Sequence, residues 1–202
     1  MWPPESGLGQ LLDYHPGFLD DAEATALLNR LWSDLHWSQP EIRMFGRTMK
    51  QPRLVAYHGD PGAVYAYSGT RLEPRAWRGG LGELRQRVEA CSGLRFNAVL
   101  VNAYRDGRDS MGWHADDEKE LGPRPAIASL SLGAARRFRL RRRGEGPAGR
   151  SPSLGLVLEH GSLLVMKPGC QEAFQHALPR TRQPVGLRLN LTWRQVQLQT
   201  PD

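Results

Sequence analysis

The sequence has few cysteines and no long apolar run. Its two cysteines, Cys91 and Cys170, are too few for a disulfide framework and too far apart for a CxxC site. No apolar segment approaches the roughly 20 residues that a transmembrane helix needs. The N-terminus lacks the basic-then-apolar order of a secretory signal peptide. We therefore expect a cytoplasmic protein with reduced thiols and no membrane contact.

The composition is that of an ordinary globular protein. Of 202 residues, 40% are hydrophobic and 24% are charged, values that argue against disorder and against collagen-like repeats. Neither an internal repeat nor an interdomain linker is visible, and the length favours one compact core. We therefore predict a single domain over residues 1–202, acting as a monomer.

The chain is basic, and its basic residues are clustered. Lys and Arg number 27 against 21 Asp and Glu. The excess lies in an arginine cluster, with Arg180 and Arg182 further along; the cluster comprises Arg136, Arg137, Arg139, Arg141, Arg142 and Arg143. Guanidinium groups suit phosphate oxygens because they offer forked, permanently charged donors. The cluster indicates either a nucleic-acid partner or a solvated strand face kept basic for solubility.

The hydrophobic pattern changes from helical to alternating along the chain. Asp20 and Glu23 form a capping box that predicts a helix over about residues 21–35. A second helix begins near Leu81 and ends at Gly93. After that helix, short β-rich segments alternate with turn formers, including a Gly/Pro/Ser hairpin loop at 144–153. The expected class is α+β, an antiparallel sandwich or barrel with helices on one side.

One spacing points to a metal site. His114 and Asp116 are two residues apart, so in an extended segment both side chains point to the same side. His176, in a strand-like segment, is the best third ligand. Two imidazoles and one carboxylate leave coordination positions open, as in non-haem Fe(II) oxygenases. The His-x-Asp pair alone is common by chance, so a second signal is needed.

The segment RLNLTWR supplies that second signal. Alternation places Leu189, Leu191 and Trp193 on one face, and the other face carries Arg188, Asn190, Thr192 and Arg194. That polar face is either exposed to solvent, as in many half-buried strands, or lines a cavity. In a cavity, the two arginines suit the two ends of a small dicarboxylate, with Asn102 and Tyr104 as further donors.

Four segments in order carry a family resemblance: NAYRDGRDSMGWHADDE, AIASLSLGAARRFRLR, HGSLLVM and RLNLTWRQ. Together they resemble the AlkB family of Fe(II)/2-oxoglutarate dioxygenases, over about residues 43–196, and are closest to the branch that repairs alkylated duplex DNA. The resemblance implies an α+β double-stranded β-helix (jelly-roll) barrel with N-terminal helices packed on one side. It divides the domain into an N-terminal extension and helix (1–40), a nucleotide-recognition segment (41–80) and a β-helix core (95–196).

The resemblance also implies cofactors and a reaction. His114, Asp116 and His176 match the iron ligands and so the catalytic centre. Positions around 2-oxoglutarate are matched by Asn102, Tyr104, Arg188, Asn190, Thr192 and Arg194. The reaction implied is oxidative dealkylation of 1-methyladenine and 3-methylcytosine in DNA by Fe(II), O₂ and 2-oxoglutarate, releasing formaldehyde, succinate and CO₂.

The resemblance also implies how the base is recognised. A base inside a duplex cannot reach a buried metal unless it is flipped out. Residues implied to contact substrate are Phe45 and Gly46 as a wedge, Tyr65 and Tyr67 in the lesion pocket, Asp117 and Glu118 at the base edge, and Arg180 and Arg182 in a basic loop. Plainer interpretations are a core aromatic at Phe45 and a solvated acidic run at 116–120. Tyr67 replaces an expected Phe, and the basic loop matches only partly, so the strand preference stays open.

Three other functions remain open on the sequence. The same triad would serve an RNA base demethylase. A nucleic-acid-binding module with a vestigial iron site would keep the arginine cluster but would not need an open metal site. Hydroxylation of a protein or a small molecule would leave the arginine cluster and the Phe45 segment without a purpose.

Overall fold

The computed structural model describes residues 8–44, 47–67, 70–144 and 153–198. The helices in these ranges are α1 (Leu8–Leu11), α2 (Asp21–Asp34), α3 (Leu81–Ser92) and α4 (Cys170–Ala173). The strands are β1 (Leu12–His15), β2 (Glu41–Met44), β3 (Arg47–Lys50), β4 (Leu54–Gly59), β5 (Tyr65–Tyr67), β6 (Thr70–Leu72), β7 (Ala98–Tyr104), β8 (Met111–His114), β9 (Ile127–Gly133), β10 (Arg136–Arg142), β11 (Leu154–Leu158), β12 (Ser162–Met166), β13 (Phe174–Leu178) and β14 (Arg188–Arg194). No helix in the described ranges is long and apolar enough to cross a membrane.

Two antiparallel sheets face each other. The major sheet has the order β1-β12-β9-β14-β7-β4, and the minor sheet has the order β11-β10-β13-β8. From β7 to β14 the chain winds between them, because β7, β9, β12 and β14 lie in the major sheet and the other four strands in the minor one. Eight strands wound in this way form a jelly roll. The predicted double-stranded β-helix is confirmed.

The two predicted helices cover the outer face of the major sheet. The Asp20 carboxylate caps α2 by accepting a hydrogen bond from the Glu23 N–H at 2.8 Å. Helix α3 ends at Gly93, whose φ of 70° lies in the left-handed region that favours glycine. Apolar residues of α2 and α3 share one buried cluster with Leu191 and Trp193 of β14. The sheet is therefore shielded from water on this side.

Strand β14 separates the apolar core under the helices from the polar cavity between the two sheets. Leu189, Leu191 and Trp193 are fully buried on the helix side of the sheet. The alternate residues point toward the minor sheet, and Arg188 and Arg194 are 1% and 3% exposed. The predicted alternation is confirmed. These two arginines are buried, so the alternative in which they face solvent is wrong.

The sheets extend beyond the predicted core range of 95–196. Strands β1 and β4, from the N-terminal part, form the two edges of the major sheet. Residues 41–72 also form two separate hairpins, β2–β3 and β5–β6. These strands are only three to six residues long, so their alternation is too brief to read from the sequence.

The turn that leads into β8 depends on one buried carboxylate. Asp109 accepts hydrogen bonds from the Arg105 backbone N–H at 3.0 Å and from its guanidinium at 2.8 and 3.0 Å. Burial alone would raise the pKa of Asp109, but these bonds outweigh burial and lower it. The stability that Asp109 contributes is therefore present above the ordinary carboxyl pKa and lost as the pH falls below it.

We expect Asp109→Asn to lower the free energy of unfolding at pH 7 by about 1–3 kcal/mol, because it loses charge-assisted hydrogen bonds. The difference from wild type should shrink as the pH falls through about 4, where unfolded Asp takes up a proton. Urea unfolding at pH 7 and pH 3 measures both values. Equal stabilities at pH 7 would contradict this account of the turn.

Candidate active site

Three potential metal ligands meet between the sheets. His114 of β8 and His176 of β13 are direct cross-strand partners, and their ring centroids are 4.2 Å apart. Asp116 follows β8, and its Oδ2 lies 3.9 Å from His176 Nε2. The three side chains offer ligand atoms that all lie within 4.8 Å of one another. Two imidazoles and a carboxylate in this arrangement fit a non-haem Fe(II) ion.

Neighbouring groups orient two of these side chains. The carbonyl oxygen of Gly112 lies 2.9 Å from His114 Nδ1, so this nitrogen donates a hydrogen and Nε2 is left to bind metal. The backbone N–H of Asp116 donates to Oε1 of the buried Gln171 at 3.0 Å. The loop after β8 is therefore tied to α4, and Asp116 is held facing the two histidines.

The electrostatics favour the ligating protonation states. Burial, reinforced by the charge of His114, lowers the pKa of His176 to about 3. Burial also lowers the pKa of His114. Burial would raise the pKa of Asp116, but the neighbouring Arg194 and the histidines outweigh it and lower that pKa. Near neutral pH the site offers two neutral imidazoles and one carboxylate, so a divalent cation displaces no proton from it.

All nine residues predicted to bind metal or co-substrate line one cavity between the sheets. The cavity holds about 480 Å³ of empty space, including its opening to solvent. The lining therefore brings together residues from β7, β8, β13 and β14; they are Asn102, Tyr104, His114, Asp116, His176, Arg188, Asn190, Thr192 and Arg194.

Arg188 is a buried cation with spare donors. Its Nη2 donates to Ser131 Oγ at 3.0 Å, and its guanidinium lies 5.3 Å from the centre of the Tyr104 ring. Its Nε and Nη1 make no hydrogen bond with any residue that the structure describes. Burial lowers the pKa of Arg188 to about 10, so it is still charged at neutral pH. Two unpartnered donors on a buried cation fit an anionic co-substrate.

Arg194 is bonded to the metal site itself. Its Nη2 donates to Asp116 Oδ1 at 2.9 Å, and its Nη1 donates to Thr192 Oγ1 at 2.8 Å. Burial would lower the pKa of Arg194, but the Asp116 carboxylate outweighs burial and raises it. The two arginines therefore differ: Arg194 lies beside a metal ligand, whereas Arg188, at the other end of β14, has two nitrogen atoms, Nε and Nη1, without a partner among the described residues.

The neutral residues of the cavity fall into two groups. Asn190 Nδ2 donates to Ser129 Oγ and to the Leu130 carbonyl, and Thr192 Oγ1 donates to the Leu100 carbonyl. These hydrogen bonds join β14 to the neighbouring strands β9 and β7 in the wall of the cavity. Asn102 instead accepts, at 2.8 Å, a hydrogen bond from Arg53 Nε. Arg53 is buried beside the site, and nothing in the sequence distinguishes it from the other arginines.

The residues predicted to contact the base are less completely placed. Phe45 and Gly46 lie outside the described residues, and for Tyr67 only the backbone, in β5, is described. Tyr65 is fully buried, and burial together with the charge of Asp116 raises the pKa of the neighbouring Glu118. The guanidinium of Arg194 lies 5.3 Å from the centre of the Tyr65 ring, so Tyr65 lies beside the metal site.

Other polar residues lie at the rim or on the surface. Asp117 is exposed and accepts a hydrogen bond from Arg143 Nη1 at 2.6 Å. Arg180 and Arg182 are exposed on the loop after β13, and neither lines the metal cavity. Arg182 borders a separate surface groove with Asp106 and Arg108.

One residue of the arginine cluster, Arg136, is not on the surface as the sequence predicted. Arg136 is buried and donates to the backbone carbonyls of Asp106, Asp109 and Pro179, so it holds loops together and is not part of a surface patch. The cause is strand alternation, which turns the first residue of β10 inward. The alternate residues Arg137, Arg139 and Arg141 point outward, and the Arg141 guanidinium lies 4.4 Å from the centre of the Trp113 ring.

Comparison with known proteins agrees with this geometry. The sequence model of the 2OG-Fe(II) oxygenase superfamily matches residues 12–194. The chain is 40% identical to rat "alpha-ketoglutarate-dependent dioxygenase alkB homolog 3", over 90% of this chain and 63% of the rat protein. It is 38% identical to human "DNA oxidative demethylase ALKBH2", over 88% of this chain and 70% of the human protein. An Arabidopsis thaliana protein of that name is 35% identical, over 94% of this chain and 68% of its own length.

The fold matches a solved structure as well. The structure of OsALKBH1 superposes with a TM-score of 0.61 at 19% identity, covering 91% of this chain and 97% of that one. The chain spans somewhat less than two thirds of the length of the alkB homolog 3 proteins that it matches, at 63% of the rat protein and 65% of the human one. From its matched sequence and its fold, the chain belongs to the AlkB family within the 2OG-Fe(II) oxygenase superfamily.

Proposed function

We propose that this protein removes N-alkyl groups from DNA bases such as 1-methyladenine and 3-methylcytosine by oxidative dealkylation. The observation that carries the proposal is the convergence of His114, Asp116 and His176 beside a cavity that contains the unneutralised guanidinium of Arg188. Fe(II), 2-oxoglutarate and O₂ are the metal and co-substrates of the family. The name "DNA oxidative demethylase" borne by several relatives supports DNA as the substrate.

The two arginines suggest the direction in which 2-oxoglutarate lies. Arg188 would bind the carboxylate remote from the metal, because its Nε and Nη1 have no partner among the described residues. Arg194 would contact the metal-proximal end while it holds Asp116. Bound iron with 2-oxoglutarate and O₂ supplies oxidation of the N-alkyl carbon, with formaldehyde, succinate and CO₂ as products. The protein binds and orients the reactants in the cavity.

The nucleic acid would reach the cavity as a flipped or single-stranded base. We propose that Phe45 and Gly46 fill the gap in the stack and that Tyr67 stacks on the target base, as the family resemblance implies. Glu118, which lies near the Asp116 carboxylate, and Asp117, which is paired with Arg143, would contact the base edge. Arg180, Arg182 and the outward arginines of β10 suit the phosphate backbone.

A vestigial iron site is disfavoured by the same geometry. A module that only binds nucleic acid has no need for three converging metal ligands or for a buried guanidinium with spare donors. Both features carry a cost, because a buried, uncompensated charge is unfavourable unless a ligand neutralises it.

Mass spectrometry of alkylated oligonucleotides tests the proposed function. Wild-type protein with Fe(II) and 2-oxoglutarate should convert 1-methyladenine and 3-methylcytosine in DNA to the unmodified bases, and omission of 2-oxoglutarate should stop conversion. His114→Ala, which removes a metal ligand, serves as the matched inactive control. Turnover compared on single-stranded DNA, duplex DNA and RNA oligomers of one sequence gives the order of substrate preference. No conversion of any methylated DNA oligomer by iron-loaded wild type would overturn the proposal.

A further inference from the structure

Arg53 follows the β2–β3 hairpin in the chain and contacts Asn102, which lines the co-substrate cavity. It is 3% exposed and directly precedes β4. The peptide group that joins Pro52 to Arg53 is bonded at both its ends, because the Arg53 N–H donates to the Gln51 carbonyl at 2.9 Å and the Pro52 carbonyl accepts from the Ser110 N–H at 2.9 Å. The guanidinium is therefore presented to β7 from a rigid segment.

The contact between Arg53 and Asn102 fixes the orientation of an amide. A guanidinium only donates, so the Asn102 atom that lies 2.8 Å from Arg53 Nε must be the oxygen, Oδ1. The amide nitrogen, Nδ2, is then turned away from Arg53. It makes no hydrogen bond with any residue in the described ranges, and Asn102 lines the cavity.

We propose that Arg53 is a positioning residue for 2-oxoglutarate: it holds the Asn102 amide so that Nδ2, a donor, faces the co-substrate. The opposite amide orientation would turn Oδ1 toward an anionic ligand and repel it. Without Arg53 the amide loses the group that selects one orientation. The inference rests on the proposed function, because it takes the cavity as the 2-oxoglutarate site.

A double-mutant cycle tests this coupling through binding. Calorimetry with Mn(II)-loaded protein gives the Kd for 2-oxoglutarate of wild type, Arg53→Met, Asn102→Ala and the double variant. Each single change should weaken binding about tenfold, the size of one charge-assisted hydrogen bond. The double variant should also be about tenfold weaker rather than about a hundredfold, because Arg53 acts through Asn102.

Two further variants separate positioning from folding. Asn102→Asp keeps the oxygen that accepts from Arg53 but replaces the donor by a second oxygen, so it should weaken binding at least as much as Asn102→Ala. Arg53→Lys keeps a group that only donates and should bind 2-oxoglutarate within about threefold of wild type. Arg85→Met, which removes a guanidinium bonded to Asp60, is the matched control and should leave the Kd unchanged.

The outcomes are distinct. Failure of wild type to bind 2-oxoglutarate would overturn the proposed function together with this inference. Normal binding by wild type with an unchanged Kd in Arg53→Met, or multiplicative losses in the double variant, would overturn the inference alone. If Arg53→Met does not fold, Arg53→Gln takes its place in the cycle. In the iron enzyme, KM for 2-oxoglutarate should rise in Arg53→Met more than kcat falls.

Discussion

Arg188→Met will weaken 2-oxoglutarate binding on the order of 10²–10³-fold, because it removes the cation that we assign to the remote carboxylate. The same change will leave the ligand-free protein at least as stable as wild type. Arg188 is a buried guanidinium whose Nε and Nη1 are unpartnered among the described residues, and replacing such a charge by an apolar side chain of similar length is neutral or stabilising. Thermal unfolding and calorimetry measure the two effects on one preparation.

Arg194→Met is the informative comparison. Arg194 is bonded to Asp116, so its removal leaves a buried carboxylate without its main partner and should destabilise the ligand-free protein. If Arg188→Met loses as much stability as Arg194→Met, then Arg188 supports the ligand-free fold. That result would contradict our assignment of Arg188 to ligand binding.

Asp116 has two roles: it is one of the three proposed metal ligands, and it pairs with the buried Arg194. Asp116→Ala should abolish turnover, because the metal loses its carboxylate ligand. It should also lower the free energy of unfolding of the metal-free protein by about 3–5 kcal/mol, because Arg194 is left buried and uncompensated. Turnover is measured by mass spectrometry of a methylated oligonucleotide, and stability by urea unfolding in a chelator.

A double variant separates the two roles. Asp116→Ala combined with Arg194→Met removes both charges, so it should recover most of the lost stability and none of the turnover. His176→Ala provides the matched comparison, since it removes a metal ligand without stranding a charge. A double variant as unstable as Asp116→Ala would show that the Asp116–Arg194 pair is not the source of the effect.

Much of this architecture could be predicted from the sequence where patterns are long or spacings are chemically specific. The seven-residue alternation of β14 predicted both faces correctly, because a strand that divides an apolar core from a polar cavity must alternate. The capping residues Asp20 and Glu23 predicted where α2 begins, and Gly93 predicted where α3 ends. His114, Asp116 and His176 were found because few chemistries need that set of ligands.

The remainder depends on contacts between distant segments. Nothing local marks Arg53 as the partner of Asn102, 49 residues away, or Gln171 as the residue that binds the Asp116 backbone, 55 residues away. Charge alone predicts one basic surface for the arginine cluster, because it does not reveal that Arg136 turns inward. Edge strand β1 is too short to carry a pattern, yet it completes the major sheet.

The central claim is that one ion binds His114, Asp116 and His176 in the cavity that we propose for 2-oxoglutarate. Anomalous diffraction from crystals grown with Mn(II) and 2-oxoglutarate tests it most directly. We predict a single strong peak within bonding distance of all three side chains, with the remote carboxylate of 2-oxoglutarate on Arg188. A metal peak elsewhere in the molecule, with these three side chains unligated, would contradict the account.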